Sequence, residues 1–595
     1  MNELYVRFFR MAERRIAEKT GEGVISFISN YSWLDSLSCP GMRERYMNVF
    51  DTISIDCLNG DKFKTGKTTP DGLPDPSIFS TPANPAGIQV STAITTLVRK
   101  KDHKPAETVA FRHLWGTAKR KILAATAESD PATIYENVVP EIRLRLPFEP
   151  VVVDQAYLDW PLLPDLLPVN FPGVKTSRDE FLVDIDHDAL KKRIDRYFDP
   201  KVSDADLAKG NPSIVRKEGR FNGPKVRAIL LARHVSEDER GKKLGEPVER
   251  AGKIVPYAYR PFDVRWLYWD PDEKLLDEKR PEYINQAPST EPTISAQQKP
   301  RGQWQSSQVN SAYACLDLID RGSTNFPART IDGSTGGLRS NLSASVVTWL
   351  GIVGVQPSEL FYHVVATLHA PSYGSNNAGA LRMDWPRVPV PNDAEVLKAS
   401  AKLGGLIAAL LDARSDVSGV SSGALRGGLP VISLPRGQNF KLTMGWGSVQ
   451  TNKNGSRIVM PGSGKITERA WTDFERDALS QLAARHGLDL AELLDLIGTR
   501  AVDVHINADS KWEGVPAKVW DYTLGGYQAL KKWLSYREAD VLGRALTGEE
   551  ALHFAKTARR ITEILCMGPV LDAAHAKARD CAVPWVNGKP ADNPL

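Results

Sequence analysis

The sequence predicts a mixed α/β protein of several domains, with an alternating helix–strand start, a larger α+β remainder and a helical end. Three observations carry this. A chain of 595 residues exceeds what one ordinary core can serve, so roughly two to four domains are expected. Up to residue 128, helical spacing alternates with short β-branched apolar runs. From Val138 onward, strand-like runs mix with Pro-rich turns, until residues 471–565 return to helical spacing. The expected division is 1–128, 129–430 and 431–595.

The elements follow from local pattern. Tyr5, Phe8, Phe9, Ala12 and Ile16 fall on one helical face over residues 3–19, and Gly21-Glu22-Gly23 stops that helix. Val24 to Ile28 is a short apolar run of the kind expected in a strand buried on both faces. Residues 41–50 read as a helix, Thr52 to Leu58 as a strand, 60–87 as a polar loop and Ile88 to Val98 as a further strand. A sheet that opens with a helix feeding an interior strand would need earlier strands for that helix to cover. Later, Tyr259 to Trp269 alternates like a single strand with Arg260 and Asp263 paired, and residues 285–312 read as a long flexible loop. Helices are expected at 358–370 and 394–412, and a β-rich piece at 430–460.

With 42% hydrophobic and 25% charged residues and a mean hydropathy of −0.31, the chain has the composition of a globular protein. Wholesale disorder is excluded. Its net charge of +4 is compatible with a nucleic-acid groove but does not require one. Cys39, Cys57, Cys315, Cys566 and Cys581 form no CxxC pair, so no structural metal site is expected. No apolar run approaches a membrane span of about 20 residues, and the start lacks a signal-peptide pattern. A cytoplasmic setting is therefore expected.

Several stretches together resemble one family. They include Leu4-Tyr5-Val6-Arg7-Phe8-Phe9-Arg10, Phe27-Ile28-Ser29-Asn30-Tyr31-Ser32-Trp33-Leu34 and Tyr259-Arg260-Pro261-Phe262-Asp263-Val264-Arg265-Trp266. Leu368-His369-Ala370-Pro371 and Gly525-Gly526-Tyr527 with Lys532-Trp533-Leu534 continue the match. This order is similar to the portion of γ-type DNA adenine methyltransferases that follows the catalytic Asp/Asn/Ser-Pro-Pro-Tyr motif, and most similar to the type ISP single-chain restriction–modification enzymes. The resemblance implies an incomplete Rossmann-like methyltransferase sheet over 1–128, followed by a large α+β target-recognition region with a helical C-terminal part.

It also implies S-adenosylmethionine as the methyl donor of the complete enzyme and double-stranded DNA as a partner, within a phage-defence system. Asn211-Pro212-Ser213 and Asn593-Pro594-Leu595 lack the second proline and the aromatic of the catalytic motif. Gly21-x-Gly23, Gly445-x-Gly447 and Gly462-x-Gly464 do not sit between a strand and a helix. The chain by itself is therefore expected to bind no donor and to lack catalytic residues. An N-terminal methyltransferase half, as a separate chain or a lost part of the gene, would supply both.

Candidate DNA contacts are basic residues in loops or beside aromatics. Lys175 and Arg178 lie in a loop after Phe171, and Lys225 and Arg227 in a basic run. Arg260 and Arg265 interleave with tyrosines and a tryptophan, a pattern that suits base stacking as well as core packing. Lys531, Lys532 and Arg537 flank Trp533 and Tyr536 on an expected helix, where they would clamp phosphates or merely face water. The leading expectation is the specificity-bearing part of an adenine-N6 methyltransferase. The alternative is a stand-alone DNA-binding protein without chemistry; a nuclease or other hydrolase finds no catalytic constellation.

Overall fold

A computed structural model describes residues 3–209, 211–218, 221–233, 235–237, 243–247, 252–272, 274–300, 302–320, 322–430, 432, 439–451, 457–586 and 589–591. Part of the β-rich piece expected at 430–460 thus lies outside the described residues. The chain is mixed α/β and divides into two compact units. The first comprises 1–158 together with 298–304 and 375–387; the second comprises 159–297, 305–374 and 388–595. The breaks expected at 128 and 430 both fall inside units.

In the first unit, helix α1 (Leu4–Glu13) continues as a wider π-helical turn to Thr20 and stops at Gly21, whose φ is +84°. It is followed by β1 (Gly23–Asn30), α2 (Pro40–Val49), β2 (Thr52–Cys57), β3 (Thr92–Arg99), β4 (Val109–His113) and β5 (Glu136–Val138). The sheet order is β1-β3-β2-β4-β5, and only β2 and β4 run parallel. Because β5 adds to this sheet, the unit extends beyond residue 128.

Phe9 of α1 packs on Phe27, Trp33 and Tyr46 at ring-centroid distances of 5.0, 5.4 and 6.1 Å. Arg43 is fully buried and donates to the carbonyls of Trp33, Ser36, Arg145 and Leu146, which ties the turn after β1 to the chain beyond β5. Removing any of those acceptors would strand a buried donor.

The expected double burial of β1 is corrected. Ile25 and Ser29 are buried, but Val24 and Ile28 on the opposite face are 59% and 57% exposed. The strand lies at the sheet edge with one face uncovered, and Leu4, Phe8 and Met11 of α1 are exposed as well.

The second unit contains the hairpin β6 (Lys253–Arg260) and β7 (Asp263–Trp269), turning at Phe262 with φ +58°. A single strand was expected here. Pro261 denies the ladder a donor and favours the turn. Residues expected to form a flexible loop contain two strands, β8 (Thr293–Ala296) and β9 (Gln308–Asn310), whose residues are all buried. Their polar side chains bond mostly outside the pair: Ser295 donates to Asn325 at 2.7 Å and Gln308 to the Leu411 carbonyl at 3.0 Å, while Asn310 donates to Ser295 at 3.3 Å. Composition alone cannot distinguish such buried polar strands from solvated loops.

The helical core pairs α3 (Pro357–His369) with α4 (Ala394–Leu411), backed by α6 (Gly548–Cys566) and α7 (Gly568–Asp580); α5 (Ala529–Ser535) precedes them. Gly404 permits the closest approach, since a Cβ there would collide with the Tyr362 carbonyl. The stretch 471–565 is not purely helical: Ile466–Arg469, Ala501–His505 and Lys511–Pro516 form a three-stranded sheet. Among the described residues, no helix is long and apolar enough to cross a membrane.

Candidate nucleic-acid interface

The nine candidate cations separate by what already occupies their donors. Arg178 is buried over the Phe221 ring at 3.8 Å and donates to the Leu275 and Lys274 carbonyls. Arg227 is buried and donates to the carbonyls of Tyr197, Asp199 and Val202 while pairing with Asp204 at 2.8 Å. Arg265 and Arg537 share the fully buried carboxylate of Asp263, at 2.7 and 2.8 Å. Asp263 therefore pairs with these two and not with Arg260 as expected. Burial opposes its charge, but the two guanidinium groups hold its pKa well below the usual carboxylate range. Lys175 pairs with Asp277 at 3.1 Å on the surface, Lys225 is exposed at the start of a helix, and Lys531 is half-buried.

Arg260 and Lys532 are set apart by converging on the same two tyrosine rings, Tyr527 and Tyr536, with no carboxylate partner for either among the described residues. The Arg260 guanidinium lies 4.3 Å from the Tyr259 ring, 5.7 Å from Tyr527 and 5.9 Å from Tyr536. One of its terminal nitrogens donates to the Tyr259 carbonyl and the Cys315 Sγ, and its Nε has no acceptor. The Lys532 ammonium sits 5.1 Å from both Tyr527 and Tyr536. Arg265 stacks on Tyr259 at 3.9 Å and on Tyr536 at 4.6 Å. Two aromatic–basic segments far apart in sequence thus converge, joined by the buried Asp263–Arg537 bond. A cleft of about 400 Å³ opens beside Arg260, Tyr259 and Tyr536.

A second feature lies within the first unit, at the carboxyl ends of the parallel pair β2 and β4, where ligands commonly bind α/β sheets. Asp75, fully buried, accepts from the backbone of Gly60 and Gly116 and pairs with Lys119 at 2.7 Å, anchoring the loop after β2 to the turn after β4. Gly60 is required there: φ is +75°, and a Cβ would meet the Ser77 backbone at 2.9 Å. The anchored loop and turn frame a cavity of about 720 Å³.

His113 and Trp115 stack along one side, with ring centroids 5.3 Å apart and planes inclined at 29°. Burial, with the charges of Lys64 and Arg382, pushes His113 down to about 4, so its ring is neutral near pH 7. The Asn59 amide points its nitrogen at His113 Nδ1, 3.2 Å away. Lys64 lies 4.6 Å from the Tyr31 ring, 3.4 Å from Asp35 and 3.6 Å from Glu149. Burial opposes its charge, yet the Glu149 and Asp35 carboxylates raise its pKa. An adjoining cavity of about 510 Å³ shares Tyr31, Lys64 and Arg382 with the first. Sequence reasoning singled out none of His113, Trp115, Lys64 and Arg382; the only local signal was an aromatic pair just past a strand end.

Three glycines of the Gly-x-Gly pairs pack closely against neighbouring atoms. A Gly23 side chain would press on Ile16 at 3.1 Å, while Gly462 packs on the Gly445 carbonyl and Gly464 on the Trp446 ring.

The family model described as the Type ISP C-terminal specificity domain matches residues 165–564. Among solved structures, the chain is similar to a nuclease-deletion mutant of the Type ISP restriction-modification enzyme LlaGI in complex with a DNA substrate mimic. That match has a TM-score of 0.57 and 16% identity, covering 96% of this chain and 48% of that one. The ATP-dependent Type ISP restriction-modification enzyme LlaBIII bound to DNA gives 0.58 and 15%, covering 96% and 34%. The cryo-EM DrdV–DNA complex gives 0.56 and 18%, covering 96% and 52%. The chain spans about half the length of these structures or less. No curated protein matches it.

Proposed function

Because the chain belongs to the Type ISP C-terminal specificity domain family, we propose that it recognises a specific duplex DNA sequence as the target-reading part of a restriction–modification enzyme. In this reading, the first unit is the later portion of an adenine-N6 methyltransferase sheet. Earlier strands would add at β1, whose uncovered face and edge-strand position suit such an addition. S-adenosylmethionine and the catalytic tetrapeptide belong to that earlier portion.

The observation that carries DNA recognition is the convergence on Tyr527 and Tyr536 of two cations without carboxylate partners, Arg260 and Lys532. A half-buried cation without a counter-charge is costly in an isolated protein and gains most from an incoming anion. DNA phosphates supply that anion, and the tyrosine faces tolerate any neighbouring base. Lys175, Lys225 and Lys531 extend the proposed contact set, while Arg178, Arg227, Arg265 and Arg537 hold its frame. The test is a gel-shift series across salt concentration. Wild-type affinity should fall steeply with salt, and Lys532→Gln should weaken binding to all sequences alike while lowering the log–log slope by about one. A flat wild-type response would reject the reading.

A further inference from the structure

Two clefts of the second unit flank the short helix Asp179–Leu182. The larger, of about 400 Å³, is the one beside Arg260, Tyr259 and Tyr536; the smaller, of about 230 Å³, is lined by Lys175, Arg178, Ser213 and Asp317. Asp179 and Glu180 border both. Most charged groups around them are already matched. Arg193 pairs with Asp184 at 2.8 Å, Lys175 with Asp277 and Arg265 with Asp263, while Arg178 donates to two carbonyls. Asp179 accepts from the Thr176 and Tyr259 hydroxyls, and Asp317 is exposed to water. Glu180 differs. It is half-buried, and its Oε1 is sealed from solvent with no hydrogen-bond donor among the described residues.

A carboxylate accepts hydrogen bonds and donates none. Placed among cations that grip phosphates, it repels the backbone, so its natural counterpart on DNA is a donor. An ionised oxygen without a donor is costly, and an incoming donor relieves that cost once the side chain rotates about its own single bonds. In the major groove the donors are the amino groups of adenine (N6) and cytosine (N4). Adenine sets its N7 acceptor beside the amino group, where a carboxylate repels it. Cytosine presents the amino group beside an apolar C5–C6 edge, and Val449, Ile458 and Leu542 give the larger cleft an apolar wall for that edge. Thymine has the same outline but carries the O4 acceptor where cytosine has its donor.

We infer that Glu180 is a specificity-determining residue, which accepts a hydrogen bond from the N4 amino group of one target cytosine and rejects thymine at that position. The inference rests on the DNA-recognition reading for the presence of a duplex at this cleft. It also deepens that reading: Arg260 and Lys532 hold the backbone whatever its sequence, while Glu180 ties the grip to one base pair. A merely neutralising role for Glu180 predicts something different, because removing its charge would then strengthen binding to every sequence alike.

The test selects duplexes from a randomised pool with the full wild-type chain, with Glu180→Met and with Glu180→Gln. The wild type should return a consensus in which one cytosine is required. Glu180→Met should lose that requirement and keep the rest of the consensus. Glu180→Gln, whose amide both accepts and donates, should tolerate thymine there, and its near-identical shape guards against a misfolded Met variant. Gel shifts on the selected duplex give the size of the effect. Replacing that cytosine by thymine (with adenine opposite), or by 5-methyl-2-pyrimidinone, which lacks the amino group, should weaken wild-type binding about tenfold, as one hydrogen bond to a charged group implies. Neither replacement should matter to Glu180→Met. Variants that return the wild-type consensus, or that bind every sequence more tightly, overturn the inference, as does an equal penalty for the analogue in wild type and Glu180→Met. A required adenine that only the wild type selects overturns the cytosine assignment. A wild-type chain that selects no sequence at all overturns the DNA-recognition reading itself, whereas a consensus indifferent to residue 180 leaves that reading standing while this inference falls.

Discussion

Asp263 is the residue whose removal the second unit should tolerate least. Its carboxylate is fully buried and bonded to two guanidinium groups, those of Arg265 at 2.7 Å and Arg537 at 2.8 Å. At an effective dielectric near 20 and charge separations of about 4 Å, each contact contributes roughly 4 kcal/mol of gross attraction. Most of that offsets the desolvation of three charged groups, so the net worth of the cluster is small. Breaking it is different. Asp263→Asn leaves two buried cations facing a neutral amide, a situation that costs about 3–5 kcal/mol. Urea unfolding followed by tryptophan fluorescence should show that loss. Its size should stay constant between pH 5 and 8, because the folded carboxyl is held ionised below its unfolded range. The wild-type advantage is present above the unfolded value of about 3.9 and fades only as pH falls below it. Arg537→Met combined with Asp263→Asn should be less damaging than the sum of the two single changes. A loss under 1 kcal/mol for Asp263→Asn would refute the argument that this carboxylate neutralises both arginines.

Further expectations follow from other parts of the fold. His363, His369 and His553 are each pushed down to about 4 by burial, so the unfolded chain binds more protons below its ordinary value near 6.5. Stability should be full above about pH 6.5 and be lost as pH falls toward 4; a thermal-melt series flat across that window would contradict this. Gly404→Ala should separate α3 from α4 and cost about 1–3 kcal/mol or more, measured by denaturant unfolding. Val24→Lys and Ile28→Lys change exposed positions on β1 and should alter the stability of this chain by under about 0.5 kcal/mol. The same pair should block association with an added N-terminal methyltransferase half in a co-purification assay; undiminished association would argue against addition at β1.

Local pattern revealed much of the first unit. The amphipathic spacing of Tyr5, Phe9 and Ile16 and the β-branched runs at 52–58 and 88–98 placed α1, β2 and β3 within a few residues. What it did not reveal was coverage, since Val24 and Ile28 look like core until a face without a helix is seen. The polar strands β8 and β9 escaped because their side chains find partners remote in sequence, such as Asn325 and Leu411. The same limit applies to the interface. Basic and aromatic residues at 259–265 and 527–537 were visible separately, but only the fold shows Arg265 and Arg537 consumed by Asp263 while Arg260 and Lys532 stay unmatched. Arg382 lies in an unremarkable stretch whose meaning comes entirely from the cavity that it borders.

The composition of the first unit from three separate stretches, ending with 375–387, has a consequence during synthesis. A ribosome that has released the sheet strands, the last ending at Val138, must still add the chain up to Lys299 before that residue can reach Asp35, and the chain up to Asp384 before Arg145 can meet it. Until then, Asp35 and the cavity rim lack their last neighbours, so the nascent sheet waits in a state suited to chaperone capture. Excising residues 1–158 by proteolysis should for the same reason yield a fragment that unfolds readily instead of an intact unit.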